Sequence, residues 1–347
     1  MPGLDQLLQE AERALGRSIG RGKGYRLAGS ARIVIVAVMR NILTAAALLL
    51  AAPASAQPDM SAVQIRVEQI APGVAVLFGA GGNIGLSYGE DGNVVVDDQF
   101  APLTDKILAA VATIDPDPVR FVLNTHWHFD HTGGNEALGK RGAVIIAHDN
   151  VRRRMSTEQF IAAMNQKIEP SPKDALPVVT FAEGVTLHLN GDTLHVVHVA
   201  NAHTDGDALI HWQKANVLHM GDTFFHKESF PFVDLSSGGS IDGMIAATNQ
   251  GLRMANDATR IIPGHGPVAS RAEFTAYRDM LVDIRAKVAA GIKARRTLAQ
   301  IQASAPAAPY GMPAGFIKPD AFVEAVYTSL KSPKAPHSHD LKPPHAH

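Results

Sequence analysis

Apolar positions along the chain follow two rhythms. Between residues 64 and 98 they come in short alternating runs, QIRVEQIAPGVAVLFG and GNIGLSYGEDGNVVVDD, broken by glycine and aspartate. That alternation predicts strands joined by tight turns, with residues 89–93 as a hairpin tip. A three-to-four-residue spacing then predicts a helix from Leu103 to Ile114, stopped by Asp-Pro-Asp-Pro and followed by a buried strand over Val119–Asn124. Beyond it AVIIAH reads as a strand, about Asn150 to Gln166 as a helix, and 170–177 as a proline-broken loop. VTLHLNGDTLHVVHV, ALIHWQ and NVLHMGD form a run of strands, turning at Asn190-Gly191-Asp192 and Asp205-Gly206. A helix over about Ile241–Ala255 precedes the strand in RIIPGHG. Ser270 with Glu273, and Thr297 with Gln300, spell capping boxes that open two more helices. Two strand-rich halves, each followed by helices, predict an α/β sandwich of two sheets with helices on the outer faces.

Composition narrows the chemistry. The 347 residues are long enough for one large α/β domain or two smaller ones. There are 16 histidines and no cysteine, so disulfides and thiolate ligands are excluded, and a transition metal must be held by imidazole and carboxylate. A net charge of −1 without an internal basic block argues against nucleic acid as a partner. The oligomeric state is not legible.

Residues 39–56 read as an export signal: Arg40, an apolar core from Ile42 to Ala52, and Ala54-Ser55-Ala56 as the cleavage site. The alternative is a single membrane anchor over Ile33–Ala52, which Arg40 and Asn41 interrupt. Cleavage predicts a periplasmic or secreted protein with no stable membrane insertion, and 25 basic against 30 acidic residues after position 56 give it a mildly acidic balance of −5. Residues 1–38 then stand as a segment upstream of a misassigned start. A catalytic domain is expected over 60–285, a helical extension over 286–334, and a flexible histidine-rich tail over 335–347.

The candidate chemistry centres on NTHWHFDHTGGN, residues 124–135, which opens a loop at a strand's carboxyl end. Residues two apart in an extended segment point the same way, so His126 and His128 can reach one ion. Asp130 and His131 fall where the chain turns and can aim at a second, with Gly133 and Gly134 permitting a sharp turn. His203 in NAHTDGD, Asp222 in HMGDTFF and His265 in IIPGHGP also follow apolar strands, and loops at strand ends are where function concentrates. Any one of these histidines alone is better explained by packing. Seven imidazoles and carboxylates at strand ends serve no structural core. His188, His195, His198 and His211 lie within strands and are expected to pack or hydrogen-bond there. His148, His219, Asp207 and Thr223 are candidate supports for a ligand.

The ordered set THWHFDH, AHTDGD, GDTFF and PGHG, over about residues 63–285, resembles the metallo-β-lactamase-fold hydrolase superfamily. The resemblance implies a four-layer αβ/βα sandwich with two metals, zinc or alternatively manganese or iron, at one edge between the sheets. Position by position, it implies that His126, His128 and His203 hold the first ion, that Asp130, His131 and His265 hold the second, and that Asp222 bridges both. Two such ions about 3.5–4 Å apart lower the pKa of a shared water toward about 7, so a nucleophile needs no serine or cysteine; Asp130 would help orient it. The implied reaction is hydrolysis of a small lactam, lactone, ester, amide or thioester, β-lactams included. Lactamases with a cysteine ligand are excluded, and the cysteine-free lactamase branch generally lacks a carboxylate at Asp222. Glyoxalase II-like thioesterases carry that carboxylate, yet GDTFFHKESFPF replaces the glycine-cysteine-glycine-arginine stretch expected after it. Phe225, Phe230 and Phe232 are candidates for an apolar wall, and residues 79–83 for a mobile rim. The rival expectations are an iron-dependent redox member of the fold and a periplasmic metal-binding or relay protein without catalysis.

Overall fold

The computed structural model describes residues 60–312 and 315–332; the expected export signal, the upstream segment and the histidine-rich tail lie outside them. The alternating runs form β1 (Arg66–Ala71), β2 (Val74–Phe78), β3 (Ile84–Ser87) and β4 (Asn93–Val96), an antiparallel meander. The first helix, α1 (Thr104–Ala112), crosses over to β5 (Val119–Leu123), parallel to β4. Two short helices, α2 (Phe129–Thr132) and α3 (Asn135–Lys140), lead to β6 (Val144–His148), parallel again, and α4 (Asp149–Met155) follows.

The helix expected to continue to Gln166 stops at Met155. A small hairpin, β7 (Gln159–Ile161) and β8 (Gln166–Ile168), takes its place and turns through Asn165 at a positive φ of 49°. Its burial explains the change: Ile161 is fully enclosed among Trp127, Phe225 and Phe232, an enclosure that overrides a helical spacing. Then β9 (Val179–Phe181) completes a seven-stranded sheet in the order β1-β2-β3-β4-β5-β6-β9.

The second sheet has five strands in sequence order: β10 (Gly184–Leu189), β11 (Asp192–His198), β12 (Ala208–Trp212), β13 (Val217–His219) and β14 (Arg260–Ile262). Helix α5 (Ile241–Met254) joins β13 to the parallel β14. Helices α6 (Arg271–Lys293), α7 (Leu298–Gln302) and α8 (Pro319–Lys331) follow, and both expected capping boxes are present at Ser270 and Thr297.

Side-chain alternation sorts the layers. Val74, Val76, Val94 and Val96 face Leu194, Val196, Ile210 and Trp212 between the sheets. Ala75, Leu77 and Val95 turn the other way onto Leu103, Ile107 and Val111. Leu209, Leu218 and Ile261 turn outward onto Met244, Phe274, Ile284, Phe322 and Val326 of α5, α6 and α8. The result is helix, sheet, sheet, helix, the expected αβ/βα sandwich. The loops after β5, β11, β13 and β14 carry the candidate ligands.

Candidate metal centre

The structure brings all seven sequence-predicted side chains together. Three sets of ligand atoms each lie within 4.8 Å of one another: His126, His128 and His203; His126, His131 and Asp222; Asp130, His131 and His265. His126 lies in a bend three residues past the end of β5, and His128 caps α2 with φ −64° and ψ 147°. Asp130 and His131 therefore ride on a single helical turn rather than an open loop. Gly133 and Gly134 have ordinary negative φ, which corrects their expected role. Their need is space, since a Cβ would strike the Gln99 carbonyl at Gly133 and the Asp98 carboxylate at Gly134.

Asp222 sits centrally. Its oxygens lie 3.0 Å from His131 Nε2, 3.4 Å from His265 Nε2, 3.6 Å from His203 Nε2 and 4.0 Å from His126 Nε2. Asp130 lies 3.7 Å from His131 Nε2 and 3.4 Å from His265 Nε2. On the other side His203 Nε2 faces His128 Nδ1 at 2.8 Å.

Four imidazoles have their second nitrogen held. His126 Nδ1 meets Thr125 Oγ1 at 3.0 Å, His128 Nε2 meets Asp234 at 3.0 Å, and His131 Nδ1 meets Asp97 at 2.7 Å. His203 Nδ1 donates to the Phe232 carbonyl at 2.7 Å. Such partners fix tautomer and ring orientation, leaving the other nitrogen's lone pair toward the cluster. Asp97 and Asp234 escaped the sequence reading. Asp97 also accepts from the Thr125 amide and hydroxyl, each at 2.7 Å, and these bonds hold it at a positive φ of 64°. Of the supports considered in advance, Asp207 ties the His203 loop by accepting from the amides of His203 and Thr204. Thr223 donates to the Met220 carbonyl and His219 to that of Asn83, whereas His148 stacks on His198 away from the cluster.

Electrostatics divides the cluster. Burial, with His131 and His203 beside it, holds His126 well below the usual imidazole range, and burial with His128 brings His203 down to about 4. Burial also opposes charge on His131 and His265, but Asp222 and Asp130 outweigh it. His131 rises well above its ordinary value and His265 is pushed up to about 10. Against burial, His131 and His265 bring Asp130 down to about 2 and hold Asp222 well below the carboxylate range.

The donor set fits divalent cations. His126 Nε2 is buried without a hydrogen-bond partner, a deficit of about 1–3 kcal/mol that a cation taking its lone pair would remove. Imidazole nitrogen and carboxylate oxygen suit zinc, manganese and iron alike.

Beside the cluster a cavity of about 420 Å3 reaches Asp130, Asp222, His128 and His265. Phe225 stacks on His265 with ring centres 5.1 Å apart, and Phe232 on His128 at 5.8 Å. Both line this cavity as expected, but Phe230 does not: it is fully buried against Phe322 in the outer core. The 79–83 rim is pinned, with the Gly82 amide donating to the Asp130 carbonyl and that of Asn83 to the Gly264 carbonyl.

Comparison with known proteins agrees with this geometry. A hydroxyacylglutathione hydrolase from Polaromonas sp. is 29% identical over 180 residues, 51% of this chain and 60% of that protein. A protein of the same name from Nitrosococcus oceani is 26% identical over 179 residues, with the same coverage. The chain thus spans about 60% of the length of these curated relatives. Among solved structures, a metallo-beta-lactamase from Pontibacter korlensis aligns with a TM-score of 0.51 at 21% identity, over 63% of this chain and 100% of that one. A double mutant of a sec-alkyl sulfatase aligns with a TM-score of 0.63 at 17% identity, over 80% and 52%. These two likenesses speak to the fold. A sequence model of the metallo-beta-lactamase superfamily matches residues 78–274, from the end of β2 into α6. That stretch takes in every loop bearing one of the seven side chains, and the chain belongs to the metallo-beta-lactamase superfamily.

Proposed function

We propose that this superfamily member is a dinuclear, zinc-dependent hydrolase of a small carbonyl compound. In this reading His126, His128 and His203 hold one ion, Asp130, His131 and His265 the other, and Asp222 lies between them. The observation that carries it is the convergence of seven ligand-type side chains from four loops, with a buried lone pair left unpartnered at His126. When bound, the ions supply Lewis acidity and an acidified water at neutral pH. The chain's own residues do the rest. Asp97, Asp234, Thr125 and the Phe232 carbonyl hold the imidazoles in one orientation. Asp130, 22% exposed at the cavity wall, is placed to orient an attacking water and receive its proton. Phe225 and Phe232 keep solvent off the inner face. The export signal read in residues 39–56 supports action outside the cytoplasm.

A thioesterase acting on glutathione conjugates is the second reading, favoured by the names of the two curated relatives. One screen separates the two. The metal-loaded chain is assayed against esters, lactones, β-lactams and glutathione thioesters, with a chelator control and metal analysis. Chelator-sensitive hydrolysis with two metal ions per chain is expected. One iron per chain with no hydrolysis of any substrate would defeat the proposal.

A further inference from the structure

The charge pattern of the 420 Å3 cavity goes beyond what hydrolysis alone requires. Away from the ligands its wall is Phe129, Phe225, Phe232, Ile161 and Met164, with Phe316 at the mouth, 69% exposed. These side chains come from α2, the loop after β13, the β7–β8 hairpin and the segment before α8. Among the described residues lining it there is no lysine or arginine; the charges other than the candidate ligands reduce to Glu228.

An adjoining groove shares Ala80, Glu228 and His265 with the cavity and does hold Arg66 and Lys227. Both cations are already engaged. Arg66 is 3.0 Å from Glu68 and stands 3.9 Å over the Phe78 ring, while Lys227 pairs with Glu273. A substrate carboxylate seated against the apolar wall, away from the candidate ligands and any ion they hold, would lose its hydration, find no lysine or arginine there and face Glu228. An apolar chain there gains about fourfold in affinity for each methylene removed from water.

We propose that the site selects neutral esters or lactones whose acyl side is an apolar alkyl or aryl chain, over β-lactams and glutathione thioesters that carry carboxylates. The inference rests on the hydrolase reading. In the reaction the oxygen of water joins the carbonyl carbon, the bond to the leaving alcohol oxygen breaks, and that oxygen takes a proton from the water. Acid and alcohol leave, and no further reactant is needed.

The test pairs turnover with binding. The metal-loaded full-length chain is given aryl esters with acyl chains of increasing length, and matched esters ending in a carboxylate. Calorimetry follows methyl ketones of the same lengths, which bind without reacting. We expect kcat/KM to climb about fourfold per methylene until the cavity fills. A terminal carboxylate should cost tenfold or more, and ketone affinity should rise in step with a negative heat-capacity change. Met164→Lys in the half-buried hairpin, or Phe316→Lys at the exposed mouth, should shrink the carboxylate penalty. Equal or faster turnover of the carboxylate series, or chain length without effect, would overturn the selectivity. If no substrate class were hydrolysed while ketone binding still grew with length, the hydrolase reading would fail and the apolar selectivity of the cavity would stand.

Discussion

Asp234 holds His128 from 106 residues away: its carboxylate lies 3.0 Å from Nε2, so the ring proton sits there and Nδ1 is left facing His203. The same carboxylate accepts from the amides and hydroxyls of Ser236 and Ser237, and, against burial, the His128 contact keeps its pKa below the carboxylate range.

Asp234→Asn keeps the size of the side chain but turns an acceptor into a possible donor toward Nε2. That favours the opposite tautomer, with the proton on Nδ1 where a cation would bind. Metal affinity measured by chelator competition should fall about 10- to 100-fold, with the far-ultraviolet dichroism unchanged. Unaltered affinity would show that Asp234 serves only its serine turn.

How much of this was legible follows from where each residue sits. Four of the clustered side chains were readable from their crowding in one run, THWHFDH, and His203, Asp222 and His265 because each follows an apolar strand and stands among small residues, local signals that need no knowledge of the partner. Asp97 and Asp234 carry no such signal. Asp97 stands beside Asp98 at the end of β4 and Asp234 opens a short turn, so each resembles any turn residue, and their histidines lie 34 and 106 positions away. The layers were legible because alternation in β2 and β4 sends odd and even side chains to different cores. The β7–β8 hairpin was not, since Val151 and Met155, four apart, begin a helical spacing, and only the packing of Ile161 with Trp127 and Phe232 decides where it stops. Phe230 and Phe232 are two residues apart, yet only Phe232 reaches the cavity, a distinction set by α8 packing over Phe230.

Asp130→Ala should remove turnover while leaving the fold. Its side chain is partly exposed and its close contacts are the imidazoles of His131 and His265, so little packing is lost. A fall of about 100- to 10,000-fold in kcat is expected for a group that handles the proton of the attacking water. Removing residues 335–347 should leave the rate unchanged. The reverse pair of results in a steady-state assay would move the chemistry to the histidine-rich tail.

Gly82→Ala should disturb one half of the metal centre. A Cβ at this position would overlap the His131 ring. The backbone cannot retreat easily, because the Gly82 amide donates to the Asp130 carbonyl and its carbonyl accepts from Gln99 Nε2 at 2.8 Å. His131 must therefore rotate away from Asp222 and Asp130. Metal content by atomic spectroscopy is expected to drop from two ions per chain toward one, with only a modest fall in thermal midpoint. Two tightly held ions in the variant would contradict the close approach.

Stability should fall with acidity through a pair of histidines remote from the metal centre. His148 and His198 stack with ring centres 3.7 Å apart and an interplanar angle of 12°. Burial, then the neighbouring His198, brings His148 down to about 4, and burial lowers His198 as well. An unfolded histidine titrates near 6.5, so between about pH 6.5 and 4 the unfolded chain binds more protons than the folded one. The stabilisation is therefore complete above about pH 6.5 and is lost as the pH falls toward 4. Allowing for partial solvation, His148 accounts for about 2 kcal/mol across that window. His148→Asn can still accept from the Asn150 amide, as His148 does at the start of α4, while removing the titration. Urea midpoints measured from pH 7.5 to 4.5 should slope less steeply in this variant than in the parent, and identical slopes would assign the acid sensitivity to other groups.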